Sequence, residues 1–273
     1  MREAGTLPNH RFCPRGEPAI TADAPVPGDN QKTRFLPRLK RLGLPDEMVA
    51  ELLNESIVVP YGKGLKPFAQ GAPADVLMLV LNGVIKVYCS HGNTRRFLVQ
   101  LAGPGDLIGY SDFIDSKGRR GQVFEAEALT NCTVALIFRH RIVKLLQGFD
   151  NAALLALLEQ SNTFWSWIAY RYASLMSLSY RERMEVVISE IAGRFGIRDA
   201  RGVMLALELG HEEWAELIGS SRPMASRLLA DMVRARILSR EGKRYIVLNG
   251  TDLEGSHYLL PGAGQEAAAS QRA

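Results

Sequence analysis

The stretch HEEWAELIGSSRPMASRLLADM, residues 211–232, decides the fold. In its first half Trp214, Leu217 and Ile218 fall on one face of a short helix, and a second helical pattern follows Gly219. Two short helices joined by a three- to four-residue turn that contains glycine are typical of a helix-turn-helix. The stretch therefore predicts that motif, with the turn at Gly219.

The second helix has the features of a helix that enters a DNA groove. Ser221 can cap its first turn, where the missing N–H of Pro223 does little harm. The predicted inward stripe is Ala225, Leu228, Leu229 and Met232. Arg222, Ser226 and Arg227 are predicted to face outward, near the helix end whose backbone N–H groups favour phosphate.

Charge is segregated along this part of the chain. Residues 222–244 carry seven basic and two acidic side chains, a balance of +5, whereas residues 179–221 carry five basic and eight acidic ones, a balance of −3. A solvated helix face usually mixes signs, while a surface that meets phosphates separates them. Arginine at the two outward positions can also donate twice to guanine O6 and N7.

The flanking segments complete a small domain. Ser179 and Glu182 form a capping-box pattern that predicts a helix ending at Gly196. After the second helix, ILSREGKRYIVLN predicts a two-stranded hairpin that turns near Gly242. Three basic residues of this wing, Arg240, Lys243 and Arg244, are predicted to contact phosphate.

A long helix is predicted over residues 151–177. Its apolar residues follow a 4-3 rhythm that indicates a seam for another helix. The predicted seam comprises Leu154, Leu158, Trp165, Ile168, Tyr172 and Leu175. A second copy of the chain is the simplest cover, so we predict a homodimer; the alternative is a helix packed across its own domain. Trp165 and Trp167 are interpreted as packing residues.

The N-terminal half predicts a β-sandwich or barrel. It follows a short helical stretch over residues 34–53 that is broken by Pro37 and Pro45. Short apolar runs alternate there with Gly and Pro. In VFEAEA, one face carries Phe124, Ala126 and Ala128, and the two glutamates lie on the other. In CTVALIF, a second period-two face begins at Cys132, which is interpreted as a small buried residue.

Composition sets limits on the compartment and chemistry. The 273 residues carry a net charge of +4, and apolar runs such as VLMLVL are too short to span a membrane. The N-terminus lacks a signal-like apolar core, so a cytoplasmic location is predicted without membrane association. Three distant cysteines without a CxxC pair indicate no zinc site, iron–sulfur cluster or disulfide, and no cofactor is predicted.

The barrel segment with its GDLIG turn, the long helix and HEEWAELIGSSRPMASRLLADMVRARILS together resemble the Crp/Fnr regulators over roughly residues 35–250. The resemblance implies an α+β fold: a double-stranded β-helix sensor of the cyclic-nucleotide-binding type, a dimerisation helix and a winged helix-turn-helix. It implies a bacterial protein that regulates transcription from a palindromic site and has double-stranded DNA and RNA polymerase as partners. The predicted divisions are an arm at 1–33, the sensor at 34–150, the dimerisation helix at 151–178, the DNA-binding domain at 179–252 and a tail at 253–273.

The resemblance also implies roles for the residues of the second helix that would contact DNA bases or phosphates. Arg222 and Arg227 match the family's base-reading arginines, and Ser221 matches a phosphate-contacting serine. Ser226 matches a base-contacting serine of the oxygen-sensing branch. Pro223 stands where many members carry a glutamate that accepts from cytosine, so neither branch's half-site sequence is carried over.

The sensor departs from the cyclic-nucleotide binders. Those proteins carry a glutamate after the GDxxG turn and an Arg-Ser pair about a dozen residues later, which hold ribose and phosphate. Tyr110 replaces the glutamate, and Gln122 and Val123 replace the pair. The predicted effector pocket therefore comprises Gly109, Tyr110, Ser111, Gln122 and Val123, and it favours an effector other than cyclic AMP. Arg119 and Arg120 lie nearby, so a cyclic-nucleotide-responsive regulator stays an alternative.

Two further alternatives remain at this point. A cupin-like barrel enzyme would need a cluster of metal-binding His and Glu, but the barrel region has only His91 and His140 and no HxH pair. Cys89 and His91 share a hairpin tip, which we interpret as facing solvent rather than holding haem. A regulator that needs no effector shares the DNA contacts. A non-enzymatic DNA-binding regulator is the prediction.

Overall fold

The computed structural model describes residues 35–39, 44–72, 75–90, 96–109 and 122–250. The predicted arm at 1–33 and tail at 253–273 lie outside these ranges, as do Tyr110, Ser111, Arg119, Arg120 and His91. Within the described ranges the chain has an N-terminal β-rich domain, a long helix and a C-terminal helical domain with a small sheet.

Among the described residues of the N-terminal domain, seven strands form two antiparallel sheets. They are β1 (Ile57–Tyr61), β2 (Val76–Asn82), β3 (Ile85–Cys89), β4 (Phe97–Ala102), β5 (Leu107–Ile108), β6 (Glu125–Ala128) and β7 (Cys132–Phe138). The first sheet has the order β1-β7-β2-β5 and the second β4-β3-β6. The predicted β-helix sensor architecture is thereby confirmed.

The inward faces of the two sheets share one core. Ala126 and Ala128 are buried and contribute to it, whereas Glu125 and Glu127 point to the other face, as the alternation predicts. Cys132 is also buried, and its Sγ donates to the carbonyl of Val84 at 3.2 Å. Burial raises the pKa of this thiol, which suits a packing role.

Helices cover the outer face of the first sheet. They are α1 (Leu36–Leu39), α2 (Asp46–Asn54), α3 (Arg139–Gly148) and the start of α4 (Asn151–Ser177). Helices α1 and α2 lie within the stretch predicted over 34–53, and α2 begins directly after Pro45, one of the two predicted break points. Helix α3 was not predicted; it follows β7 directly and has no side-chain cap to mark its start.

The predicted long helix is confirmed as α4, whose 27 residues span about 40 Å at 1.5 Å each. The carboxylate of Asp150 accepts from the Ala153 N–H at 2.8 Å and caps its first turn. Trp167 and Ile168 pack against the core between the sheets, so Trp167 has the predicted packing role.

The C-terminal domain contains the predicted helix-turn-helix and wing. It comprises α5 (Tyr180–Phe195), β8 (Gly196–Asp199), β9 (Gly202–Leu205), α6 (His211–Ile218), α7 (Arg222–Arg234), β10 (Leu238–Glu241) and β11 (Arg244–Leu248). The capping box of Ser179 and Glu182 is present, and the hairpin turns at Gly242 as predicted. The β8–β9 pair was not predicted and extends the wing to a four-stranded sheet.

The outer face of the second sheet packs on the C-terminal domain. Tyr88 and Leu98 belong to the same apolar cluster as Trp214 and Leu217 of α6. At the edge of this contact the carboxylate of Asp106, in the GDLIG turn, pairs with Arg194 of α5. The two domains therefore share a continuous core in addition to the connection through α4.

The Asp106–Arg194 pair leads to a stability prediction. Asp106→Ala leaves the largely buried guanidinium with Glu190, at 3.4 Å, as its remaining ion-pair partner among the described residues. It also removes the acceptor of the Gly103 N–H, so the free energy of unfolding should fall by about 2 kcal/mol. Urea denaturation followed by tryptophan fluorescence measures the loss. The control Glu55→Ala removes the exposed pair with Arg141 and should cost less than about 1 kcal/mol. Equal losses in the two variants would contradict the prediction.

Candidate nucleic-acid interface

The turn between α6 and α7 depends on Gly219. Its φ of +66° lies in the left-handed region that favours glycine. A Cβ at this position would approach Leu175 Cδ2 of α4 to 3.0 Å. The Oγ of Ser221 then accepts from the Met224 N–H at 3.4 Å and caps α7, as predicted.

Helix α7 separates buried apolar residues from exposed polar ones. Three residues of the predicted inward stripe are fully buried, namely Ala225, Leu229 and Met232, and Leu228 is partly buried. Arg222, Pro223 and Arg227 are exposed. Within the described ranges, the two arginines make no side-chain hydrogen bond or ion pair. Both guanidinium groups are accordingly available to an external partner.

Ser226, the third residue predicted to contact a base, is half-buried and makes a side-chain hydrogen bond. Its Oγ lies 2.6 Å from Nδ1 of His211, the first residue of α6. The periodicity of α7 predicts that Ser226 faces outward, but it does not predict His211 as a hydrogen-bond partner, because His211 lies on the neighbouring helix.

The three predicted wing contacts differ in their surroundings. Lys243 is exposed at the hairpin turn. Arg240 is exposed, and its Nε donates to the Gly242 carbonyl at 3.0 Å. Arg244 is half-buried and lies 3.6 Å from the carboxylate of Glu208. Lys243 is therefore the wing residue with the fewest competing contacts.

The predicted seam of α4 lies only partly on the exposed face of the helix. Leu158, Trp165 and Tyr172 are exposed by 63%, 47% and 65%. The other three predicted residues, Leu154, Ile168 and Leu175, are half-buried by the chain itself. Leu155 and Met176 are 59% and 72% exposed and extend the face, although they were not predicted. We call the set Leu155, Leu158, Trp165, Tyr172 and Met176 the α4 face.

Two arginines missed by the sequence analysis hold the end of α6. The buried Arg171 of α4 donates from Nη2 to the Leu217 carbonyl at 2.6 Å. Arg183 of α5 donates from Nη1 to the Ile218 carbonyl at 3.3 Å. These carbonyls belong to the last turn of α6, where positive charge is favourable. The long helix thus contacts the helix-turn-helix directly. Burial lowers the pKa of Arg171.

A second connection joins α6 to the outer face of the β-domain. Lys86 Nζ lies 2.7 Å from Glu127 and 3.4 Å from Glu213 of α6. Arg96 reaches Glu127 at 3.4 Å and Glu216 of α6 at 3.8 Å. Burial raises the pKa of Glu216. Alternation correctly placed Glu127 on the outer face, but only the fold shows that α6 covers that face.

Comparison with known families assigns both halves of the chain. Residues 58–149 match the model of the cyclic nucleotide-binding domain, and residues 175–255 match the Crp-like helix-turn-helix domain. The chain belongs to the Crp/Fnr superfamily of transcriptional regulators. The predicted family and the predicted α+β fold are both confirmed.

Known Crp/Fnr proteins resemble this regulator along most of its length. The CRP-like cAMP-activated global transcriptional regulator of Mycobacterium tuberculosis is 23% identical over 211 residues, which are 75% of this chain and 90% of the relative. The global nitrogen regulator of Synechococcus elongatus is 24% identical over 69% of this chain and 84% of its own. The solved c-di-GMP-responsive regulator CLP of Xanthomonas campestris is 21% identical, covers 76% of this chain and 100% of its own, and has a TM-score of 0.66.

The structure describes part of the predicted effector pocket of this Crp/Fnr regulator. The side chain of Gln122 is buried, and a Cβ on Gly109 would lie 3.5 Å from its Nε2. Val123 is 42% exposed, whereas Tyr110 and Ser111 lie outside the described ranges. Gln122 is thus the predicted pocket residue that the structure places in the interior.

Membrane-spanning helices and clustered metal ligands are both absent from the described residues. No helix there is long and apolar enough to cross a membrane. No group of three or more His, Cys, Asp or Glu side chains in those ranges is arranged to hold a metal ion. The relatives are transcription regulators, and the chain is a DNA-binding regulator of the same kind.

Proposed function

We propose that this regulator binds a near-palindromic DNA site as a homodimer, controls transcription there and catalyses no reaction. The observation that carries the proposal is the pair of exposed arginines, Arg222 and Arg227, at the start of α7. They lie beside a glycine turn and in the basic part of the domain. Exposed guanidinium groups at a helix N-terminus suit the guanine edges and phosphates of a major groove.

Dimerisation through the α4 face brings a second copy of α7 to the DNA. A two-fold pair of α7 helices would enter successive major grooves about 34–36 Å apart, which requires a near-palindromic site. Ser221 and Pro223, at the exposed start of α7, lie next to the phosphates in this arrangement. The exposure of Leu158 and Tyr172 supports a partner copy.

Selection of bound duplexes from a random pool by the purified chain tests the proposal. The expected product is an inverted repeat whose half-sites are about one helical turn apart. Failure to enrich any sequence at low salt, with and without a small-molecule extract of cells, would overturn it.

Lys243 in the wing leads to a prediction about DNA affinity that does not depend on the base sequence. Lys243→Ala removes a charge that we assign to phosphate, so all duplexes should bind more weakly and the slope of log K against log salt should flatten by about one. Titrations at several salt concentrations measure the slope, with Lys144→Ala in the β-domain as the charge-matched control. An unchanged slope for Lys243→Ala would remove the wing from the interface.

The effector, in our proposal, is a small molecule other than cyclic AMP. Support comes from Gln122, whose neutral side chain occupies the interior where the cyclic-nucleotide binders carry an arginine. Separate selections with added cyclic AMP, cyclic di-GMP or the small-molecule extract show which of these contains the effector. Stronger DNA binding with cyclic AMP would favour the alternative, a cyclic-nucleotide-responsive regulator.

The signal would pass from barrel to reader through contacts already present. Arg171 of α4 donates a hydrogen bond to the end of α6, and Lys86 of β3 forms an ion pair with Glu213 at the start of α6. A conformational change in the barrel would therefore shift α6 and change the orientation of α7, a two-state movement. We further propose a cytoplasmic location and contact with RNA polymerase at the regulated promoter.

A further inference from the structure

A hydrogen bond joins the two helices of the helix-turn-helix at a reading position. Ser226 Oγ lies 2.6 Å from His211 Nδ1, a short contact between side chains 15 residues apart. Both residues are half-buried, and Ser226 precedes the exposed Arg227. The contact is therefore built into the edge of the surface that we assign to DNA.

This hydrogen bond determines whether the serine hydroxyl can donate to a base or only accept from it. A hydroxyl has one proton to donate and lone pairs that accept. If the proton is given to a ring nitrogen, the oxygen presents only acceptors to its surroundings. If the ring donates instead, the hydroxyl proton stays available for a base oxygen or nitrogen.

The position of His211 favours the first arrangement. The ring lies in the first turn of α6, within hydrogen-bond distance of Ser226 of α7. Nε2 has no hydrogen-bond partner within the described ranges. A neutral ring protonated on Nε2 leaves Nδ1 as the acceptor from Ser226 and keeps a donor for a nearby phosphate.

We propose that His211 is a positioning residue that makes Ser226 an acceptor, so that Ser226 reads an exocyclic amino group. In the major groove those groups are N4 of cytosine and N6 of adenine. The inference rests on the proposed function, because it assumes that α7 enters the major groove. It adds a determinant of base choice that lies outside the recognition helix.

The test compares selected sites for the wild type and three variants at pH 8, above the ordinary titration range of histidine. Ser226→Ala identifies the position that Ser226 reads, because the preference there should fall by about tenfold. His211→Phe keeps a ring but has no acceptor, and it should flatten the same position by a similar factor. His211→Asn places an acceptor oxygen near the position of Nδ1 and should retain the preference. The double variant Ser226→Ala/His211→Phe should lose no more than either single one.

The outcomes separate this inference from the proposed function. A wild type that enriches no duplex defeats the proposed function. A wild type that enriches a site, but binds it as tightly when the exocyclic amino group of the base pair at the Ser226 position is removed (purine in place of adenine, 2-pyrimidinone in place of cytosine), defeats only the inference. The same holds if no position responds to Ser226→Ala, or if His211→Phe weakens all sequences equally, as a purely structural role would.

Discussion

Replacing Arg227 with alanine in both subunits is expected to weaken binding at the selected site by about 2–6 kcal/mol, which is 1–3 kcal/mol for each half-site. The guanidinium is exposed and pairs with no described residue, so its loss removes a contact to DNA without disturbing the fold. The preference for guanine at the position it reads should disappear. Binding titrations on the selected site and on single-base variants measure both effects.

Two further variants show whether the shape or the charge of Arg227 matters. Arg227→Lys keeps the charge but loses the planar fork, so it should lose base preference while retaining most non-specific binding. Arg141→Ala removes one positive charge from the β-domain, where Arg141 pairs with Glu55 at 2.9 Å, and should leave affinity nearly unchanged. If Arg227→Ala bound the selected site as tightly as wild type, the assignment of this reader would be wrong.

Introducing charge into the α4 face should have an effect of similar size. Leu158→Glu together with Tyr172→Glu places like charges against each other across a two-fold axis, and the dimer should dissociate. Without a linked second reader, operator affinity should fall by about a hundredfold or more. Both side chains are more than 60% exposed in the single chain, so the monomer should remain folded.

The control for the α4 face adds the same charges elsewhere on the same helix. Ala152→Glu with Ser177→Glu changes two exposed positions near the ends of α4, each about 100° or more around the helix from Leu158 and Tyr172. This variant should stay dimeric. Sedimentation equilibrium, with DNA titrations on the same samples, measures the result. A dimer that survives the Leu158 and Tyr172 substitutions would place the interface elsewhere.

Local patterns in the sequence were sufficient for the helix-turn-helix. Capping by Ser221, the turn at Gly219 and the stripe around Leu229 are decided by near neighbours along the chain, and all three appear in the structure as expected. The β8–β9 pair was missed because its strands are only four residues each and mostly lack alternation.

The long helix shows where pattern reasoning loses precision. A 4-3 repeat drifts slowly around an α-helix, so neighbouring rows of apolar residues fit it almost equally well. The sequence therefore identified the helix but included Ile168 and Leu175, which pack on the chain's own domains. The outermost positions, Leu155 and Met176, became visible only when those domains were in place.

The sequence by itself determined the helix-turn-helix, the basic character of its second helix and the apolar sides of α7 and β6, because these follow from periodicity and capping over a few residues. Only the tertiary structure decided what covers each face. It placed α6 over the charged side of β3 and β6, brought Arg171 to the end of α6 and paired His211 with Ser226. These contacts join residues that are far apart in the chain or lie on separate helices, and periodicity within one element carries no information about its partner.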